Sequence, residues 1–161
     1  MKSFRNQQGS SLLEAMISLF VLGVGILGVL ALQTKSLRFN QQAYIYSQAV
    51  FLANELVEHI RINSDHVALY VKEESSSHTG SSNCTGAGSA CTPTQIKDWN
   101  LSSWYESMNE RLPNGKAAID YDGDNVTITI SFDALERIEA VGDDEESSAA
   151  ERQNYILTTA I

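Results

Sequence analysis

The chain has 161 residues, room for about one domain and an extension. Its formal net charge is −9, and from Phe39 onward 7 Lys+Arg stand against 19 Asp+Glu. An acidic body repels phosphate backbones, which argues against nucleic acid as its main partner. Apolar residues make up 43% of the sequence, a globular value, but they are unevenly spread.

The first nine residues, MKSFRNQQG, are short, polar and basic through Lys2 and Arg5, and end in Gly9. Residues 12–32, LLEAMISLFVLGVGILGVLAL, follow with only Glu14 and Ser18 as polar side chains. As a helix this run is about 31 Å long at roughly 1.5 Å per residue, which matches a bilayer core of about 30 Å. The run therefore predicts a transmembrane helix. An ordinary secretory signal is cut after its apolar run, at small residues. Here the small residue comes before the run, so cutting after Gly9 would remove the basic leader and keep the helix.

The string GVGILG, residues 23–28, fits the dinucleotide fingerprint G-x-G-x-x-G. That fingerprint requires a strand before it, a helix starting at it and an acid about 20 residues later. The flanks are instead unbroken apolar sequence, and position 48 is Gln, so a nucleotide site is rejected. Glycine is common in membrane helices, where it permits close helix approach.

Glu14 is the residue in this run that needs a reason. A carboxylate near the centre of a membrane helix costs about 2.5–3.5 kcal/mol, less near an end. Cleavage after Gly9 would create an α-amino group on Ser10, and such an amine on a neighbouring subunit could pair with Glu14. A negative charge near a helix N-terminus is also favourable.

The run GSSLLEAMISLFVLGVGILGVLALQ resembles the N-terminus of type IV pilins and pseudopilins. The resemblance implies cleavage between Gly9 and Ser10 by a prepilin peptidase, N-methylation of Ser10, and Glu14 as the assembly carboxylate. Ser10 stands where most members have Phe. Three segments, VLGVGILGVLALQ, LANELVEHIRINSD and CTPTQIKDWNLSSWYESMNERLPNGKAAIDY, are similar to PilV-type minor pilins. This narrower resemblance implies a single-pass inner-membrane protein with its head in the periplasm. It would later join a type IV pilus, at its tip or along its shaft, through helix contacts with other minor and major pilins. A role in starting or modifying pilus assembly, and through it in adhesion, twitching motility or DNA uptake, is implied as well. Two alternatives stay open: a type II secretion pseudopilin, and a bitopic membrane protein with a periplasmic binding domain.

From Gln33 to Asn63 there is no Gly or Pro. Leu37, Ile45, Ala49, Leu52, Leu56 and Ile60 recur at mostly three- and four-residue spacing, while Glu55, Glu58, His59 and Arg61 lie off that stripe. One helix is expected from about Leu12 to Ile62, roughly 76 Å long at about 1.5 Å per residue. Its second half must lay the stripe on a sheet. The expected fold is α+β and pilin-like, with this helix packed on a small C-terminal antiparallel sheet. The domain division is 1–9 leader, 10–33 transmembrane and assembly helix, 34–63 amphipathic continuation and 64–161 periplasmic head.

Residues 75–92, SSSHTGSSNCTGAGSACT, form a low-complexity loop. In an oxidising compartment Cys84 and Cys91 would bridge it; two cysteines without a His pair make at most half a zinc site. A short helix follows from about Ile96 to Leu112, with Leu101, Trp104, Tyr105, Met108 and Leu112 on one face. Pro113-Asn114-Gly115 ends it. Residues 117–121 and 126–132 flank Asp122-Gly123-Asp124-Asn125 as a β-hairpin, and Tyr155–Ile161 reads as a last strand. The acidic stretch Asp143–Glu146 reads as a loop.

Asp120, Asp122 and Asp124 have the spacing that opens a calcium loop. The sixth and twelfth positions, however, are Asn125 and Ser131 instead of Gly and Glu, so a polar hairpin tip is the better reading. His59, His66 and His78 are scattered, with no metal spacing and no nucleophile motif. The chain is read as a non-enzyme without cofactor or metal.

Overall fold

The computed structural model describes residues 10–80, 83–84, 90–134 and 152–161. The expected leader with Gly9, and the acidic stretch 143–146, lie outside the described residues. The chain divides into two compact units, Met1–Asn40 and Gln41–Ile161.

Helix α1 spans Ser10–Ile62. Residues 12–62 qualify by length and composition as a candidate membrane span. In the first unit its side chains are exposed on every face: Leu12 is 72% exposed and Phe20 73%. Leu37, expected on the core stripe, is also exposed. The stripe proper starts later, with Ile45 partly buried and Ala49, Leu52, Leu56 and Ile60 fully so.

In the second unit these residues face a four-stranded antiparallel sheet of order β1-β2-β3-β4. The strands are β1 Lys72–Ser75, β2 Lys116–Tyr121, β3 Asn125–Asp133 and β4 Arg152–Ala160. The hairpin and the last strand lie where periodicity placed them. Val126, Ile128, Ile130 and Phe132 of β3 all turn into the core, as period-2 alternation requires. The tip is a tight turn with Gly123 at φ +103. Asp122 Oδ1 accepts the backbone N–H groups of Asp124 at 3.0 Å and Asn125 at 2.7 Å. These bonds hold the Asp122 carboxyl below the usual carboxylate range.

Helix α2 spans Pro93–Arg111, starting three residues before the periodicity suggested. The reason is a capping box. Thr92 Oγ1 accepts from Gln95 N at 3.3 Å, Gln95 Oε1 accepts from Thr92 N at 2.9 Å, and Pro93 opens the first turn. The expected apolar face of Leu101, Trp104, Tyr105, Met108 and Leu112 is buried. At the other end Asn114 adopts a left-handed φ of 49, and its amide donates to Asp133 Oδ2 at 2.6 Å.

Two elements carry no periodic signal: a 3-10 segment, Ser64–Tyr70, and β1. A buried polar knot holds the first of them. Asn63, at the end of α1, donates to Pro93 O at 3.1 Å. Tyr70 donates to His59 O at 3.4 Å and accepts from Asn100 Nδ2 at 3.2 Å. These bonds tie the end of α1 to the start of α2, and with them in place the buried Asn63 and Asn100 meet their hydrogen-bonding needs.

Candidate functional site

The N-terminal site is one helix face. Glu14 shares it with Leu13, Ile17, Ser18, Val21 and Leu22. A regular backbone runs through this stretch because straight-chain and apolar residues fill it. Ser18 spends its hydroxyl on the helix itself, donating to Glu14 O at 2.7 Å and Ala15 O at 3.1 Å. Glu14 is exposed. Among the described residues no cation lies within ion-pair distance of its carboxylate. Ser10 is the first described residue, and it begins the helix four positions before Glu14.

Gly23, Gly25 and Gly28 lie inside the same helix, and a Cβ built on any of them would meet nothing within 4 Å. Among the described residues no strand precedes them and no turn interrupts them, so the structure gives the dinucleotide reading no support. Among the described residues no contact requires these positions to be small. What they offer is a shallow surface to an outside helix.

A second cluster sits in the head, where residues 72–80 meet the first half of α2. His78 Nε2 lies 2.9 Å from Asp98 Oδ1, and Lys97 Nζ lies 2.6 Å from the same oxygen. Lys72 Nζ donates to Ser77 O at 2.8 Å and lies 3.4 Å from His78 Nδ1. It also stands 5.1 Å above the Tyr105 ring. Ser102 donates to Gly80 O, and a Cβ at Gly80 would collide with the His78 and Asp98 side chains. The Lys97 ammonium, and then His78, hold the Asp98 carboxyl below the usual range, while burial and then Lys97 push the Lys72 amine down. Chemically this is a clamp: it fastens residues 76–80 to α2 just before the cysteine loop. His78 had looked isolated because its partners are 6 and 20 residues away.

Cys84 and Cys91 form a disulfide with a Cα–Cα distance of 6.1 Å. The chain-entropy model assigns about 2.5 kcal/mol to closing a loop of this size. Cys84→Ser is expected to raise the rate of limited proteolysis within residues 80–92 while the rest of the head stays resistant. An unchanged cleavage rate would show that the bridge constrains nothing.

Tyr105 is buried and donates to Ala117 O at 3.2 Å. Burial pushes its hydroxyl up from 10.0 to about 12. Because the folded value is raised, its stabilising contribution is complete below pH 10 and is lost as pH rises through about 12. The loss amounts to about 3 kcal/mol, taking 1.36 kcal/mol per unit. Tyr105→Phe should flatten this alkaline limb in a denaturation series; an identical limb in the variant would assign it to another group.

Two families match the sequence. One, described as "Prokaryotic N-terminal methylation motif", covers residues 4–30. The other, described as "Type IV pilin Tt1218", covers residues 31–102. No curated protein and no solved structure matches the chain. The two matched segments adjoin, and they meet within helix α1, on which Glu14 stands exposed: the chain belongs to the type IV pilin superfamily.

Proposed function

We propose that the chain is a minor pilin of the PilV type, taking part in starting or modifying assembly of a type IV pilus. One observation carries the reading: Glu14, with no cation in reach among the described residues, is the one charged residue in the exposed apolar run 12–32, within a segment that matches the methylation motif. In lipid such a group is costly without a partner. The partner in this reading is the ammonium of a neighbouring pilin's processed N-terminus.

A prepilin peptidase cuts between Gly9 and Ser10 and Ser10 is N-methylated. Residues 10–33 first anchor the chain in the inner membrane with its head, 64–161, in the periplasm, and residues 34–63 continue the helix. The helix later leaves the bilayer into the bundle formed with other pilins. Pairing of Glu14 with the neighbour's amine sets the axial register. Through the pilus the chain serves adhesion, twitching motility or DNA uptake. The oxidising periplasm suits the Cys84–Cys91 bridge. The role is structural, without catalysis or cofactor.

Intact mass spectrometry of the protein from its native membrane tests this. A mature chain beginning at a methylated Ser10 is expected. A chain that still begins at Met1 rejects the proposal in favour of a bitopic membrane protein.

A further inference from the structure

The two edges of the sheet differ. At the hairpin tip Asp122 N donates to Asn125 O at 3.2 Å, so the backbone of Asn125 faces β2. Antiparallel alternation then turns the backbones of Val126, Ile128, Ile130 and Phe132 toward β4. Their partners there are Thr159, Leu157, Tyr155 and Gln153. The N–H and C=O groups of Asn154, Ile156 and Thr158 therefore point away from β3, and among the described residues no bond to them is made. The side chains of these three residues lie on the exposed face of the sheet, and Ile156 is 61% exposed. Residues 153–160 contain no proline, glycine or charge.

Natural sheets usually guard such an edge with charges, a bulge or short length. The opposite edge, β1, has all three guards: it is four residues long, carries Lys72, Glu73 and Glu74, and is irregular between Lys72 and Ser75. Strand β4 is nine residues long and regularly paired, and its one charge, Arg152, stands at its first position and is turned to Asp133 on β3 at 3.5 Å.

We infer that the free edge of β4 accepts, in antiparallel pairing, an extended uncharged strand from the head of a different, co-oriented pilin subunit. This rests on the reading of the chain as a pilin that assembles beside others. A second copy fits the edge poorly. Antiparallel β4–β4 pairing needs a twofold axis normal to the sheet, and such an axis reverses the helix segment 41–62 packed on that sheet. Two reversed helices cannot be anchored from one membrane. A co-oriented copy would present β1 with the right polarity, because strands alternate across the sheet. Yet β1 is short and charged, whereas the centre of the β4 edge is neutral and apolar at Ile156. The backbone groups supply the attraction, and the pleat selects small or β-branched residues opposite Ile156.

The test uses the full chain in its native membrane, with a photo-crosslinking benzoylphenylalanine in place of Ile156. The expected result is an adduct to the head of another pilin polypeptide. Thr158→Pro removes an outward N–H and spares the backbone bonds to β3; Thr158→Lys adds a guard without altering the backbone, and since both variants lose the exposed hydroxyl contact to Thr127 at 3.1 Å, Thr158→Val serves as the control for that contact. Thr158→Pro and Thr158→Lys should each weaken the adduct about tenfold, the effect of losing one or two backbone hydrogen bonds. An adduct to a second copy, to lipid or to a non-pilin protein overturns the inference, as does no adduct, or one insensitive to both variants. Processing at Gly9 is read on the same sample. Normal processing without the adduct defeats the docking inference alone, whereas a retained leader defeats the pilin reading itself.

Discussion

Replacing Glu14 by Ala is expected to leave the chain in the membrane at its normal level and to remove it from pili. Membrane retention should survive because the substitution takes a carboxylate out of an apolar run, which lowers the insertion cost. Assembly should fail because no other side chain on that face, Leu13, Ile17, Ser18, Val21 or Leu22, can hold an ammonium. A charge-assisted pair excluded from water contributes enough to change incorporation by about tenfold or more. Glu14→Gln separates charge from shape. It keeps the length and an amide oxygen, so near-normal incorporation with Gln would mean that hydrogen bonding suffices and the charge is dispensable. The ratio of pilus-bound to membrane-bound protein by immunoblot gives the answer, and equal ratios for wild type and Glu14→Ala would end the pairing idea.

Trp104→Ala should have the largest effect on the stability of the head. The indole is fully buried, donates to Leu52 O of α1 at 2.8 Å, and meets Tyr105 edge-on with 5.1 Å between centroids. It is thus both the bulk and the polar link between α2 and the sheet-facing part of α1. Emptying such a site costs about 3–5 kcal/mol, a large share of a total that is about 5–15 kcal/mol for an ordinary domain. At about 3–5 °C per kcal/mol for a unit of this size, the midpoint of thermal unfolding of the full chain in detergent should fall by about 9 °C or more. Trp104→Phe keeps most of the volume and loses the hydrogen bond, so it should cost nearer 1 kcal/mol plus a small packing term. A fall of only a few degrees for the alanine variant would show that the site collapses without penalty.

These two residues were legible in the sequence for different reasons. Glu14 stood out by contrast with its neighbours, and Trp104 by its place in a three-and-four repeat with Leu101, Tyr105, Met108 and Leu112. Leu37 illustrates how such a pattern overreaches: it continues the stripe in spacing, yet it lies before the sheet-backed part of α1 and stays exposed. Strand β1 was invisible because KEES has neither alternation nor apolar content; it is a strand only through its pairing, with Lys72 opposite Ile119 and Ser75 opposite Ala117. The clamp of Lys72, His78, Lys97 and Asp98 was hidden for a related reason, since no local rule links a loop histidine to a helix aspartate 20 residues on.

By itself the sequence determined the apolar run, the single long helix, the apolar face of α2 and the β2–β3 hairpin, because each rests on a period or a contrast contained within one segment. Only the tertiary structure decided where the core begins along α1, that Asn63, Tyr70 and Asn100 form a buried polar knot, and which edge of the sheet is guarded. Those outcomes depend on what approaches from elsewhere in the chain: burial and hydrogen-bond satisfaction belong to pairs of segments, and a segment read alone does not contain its partner.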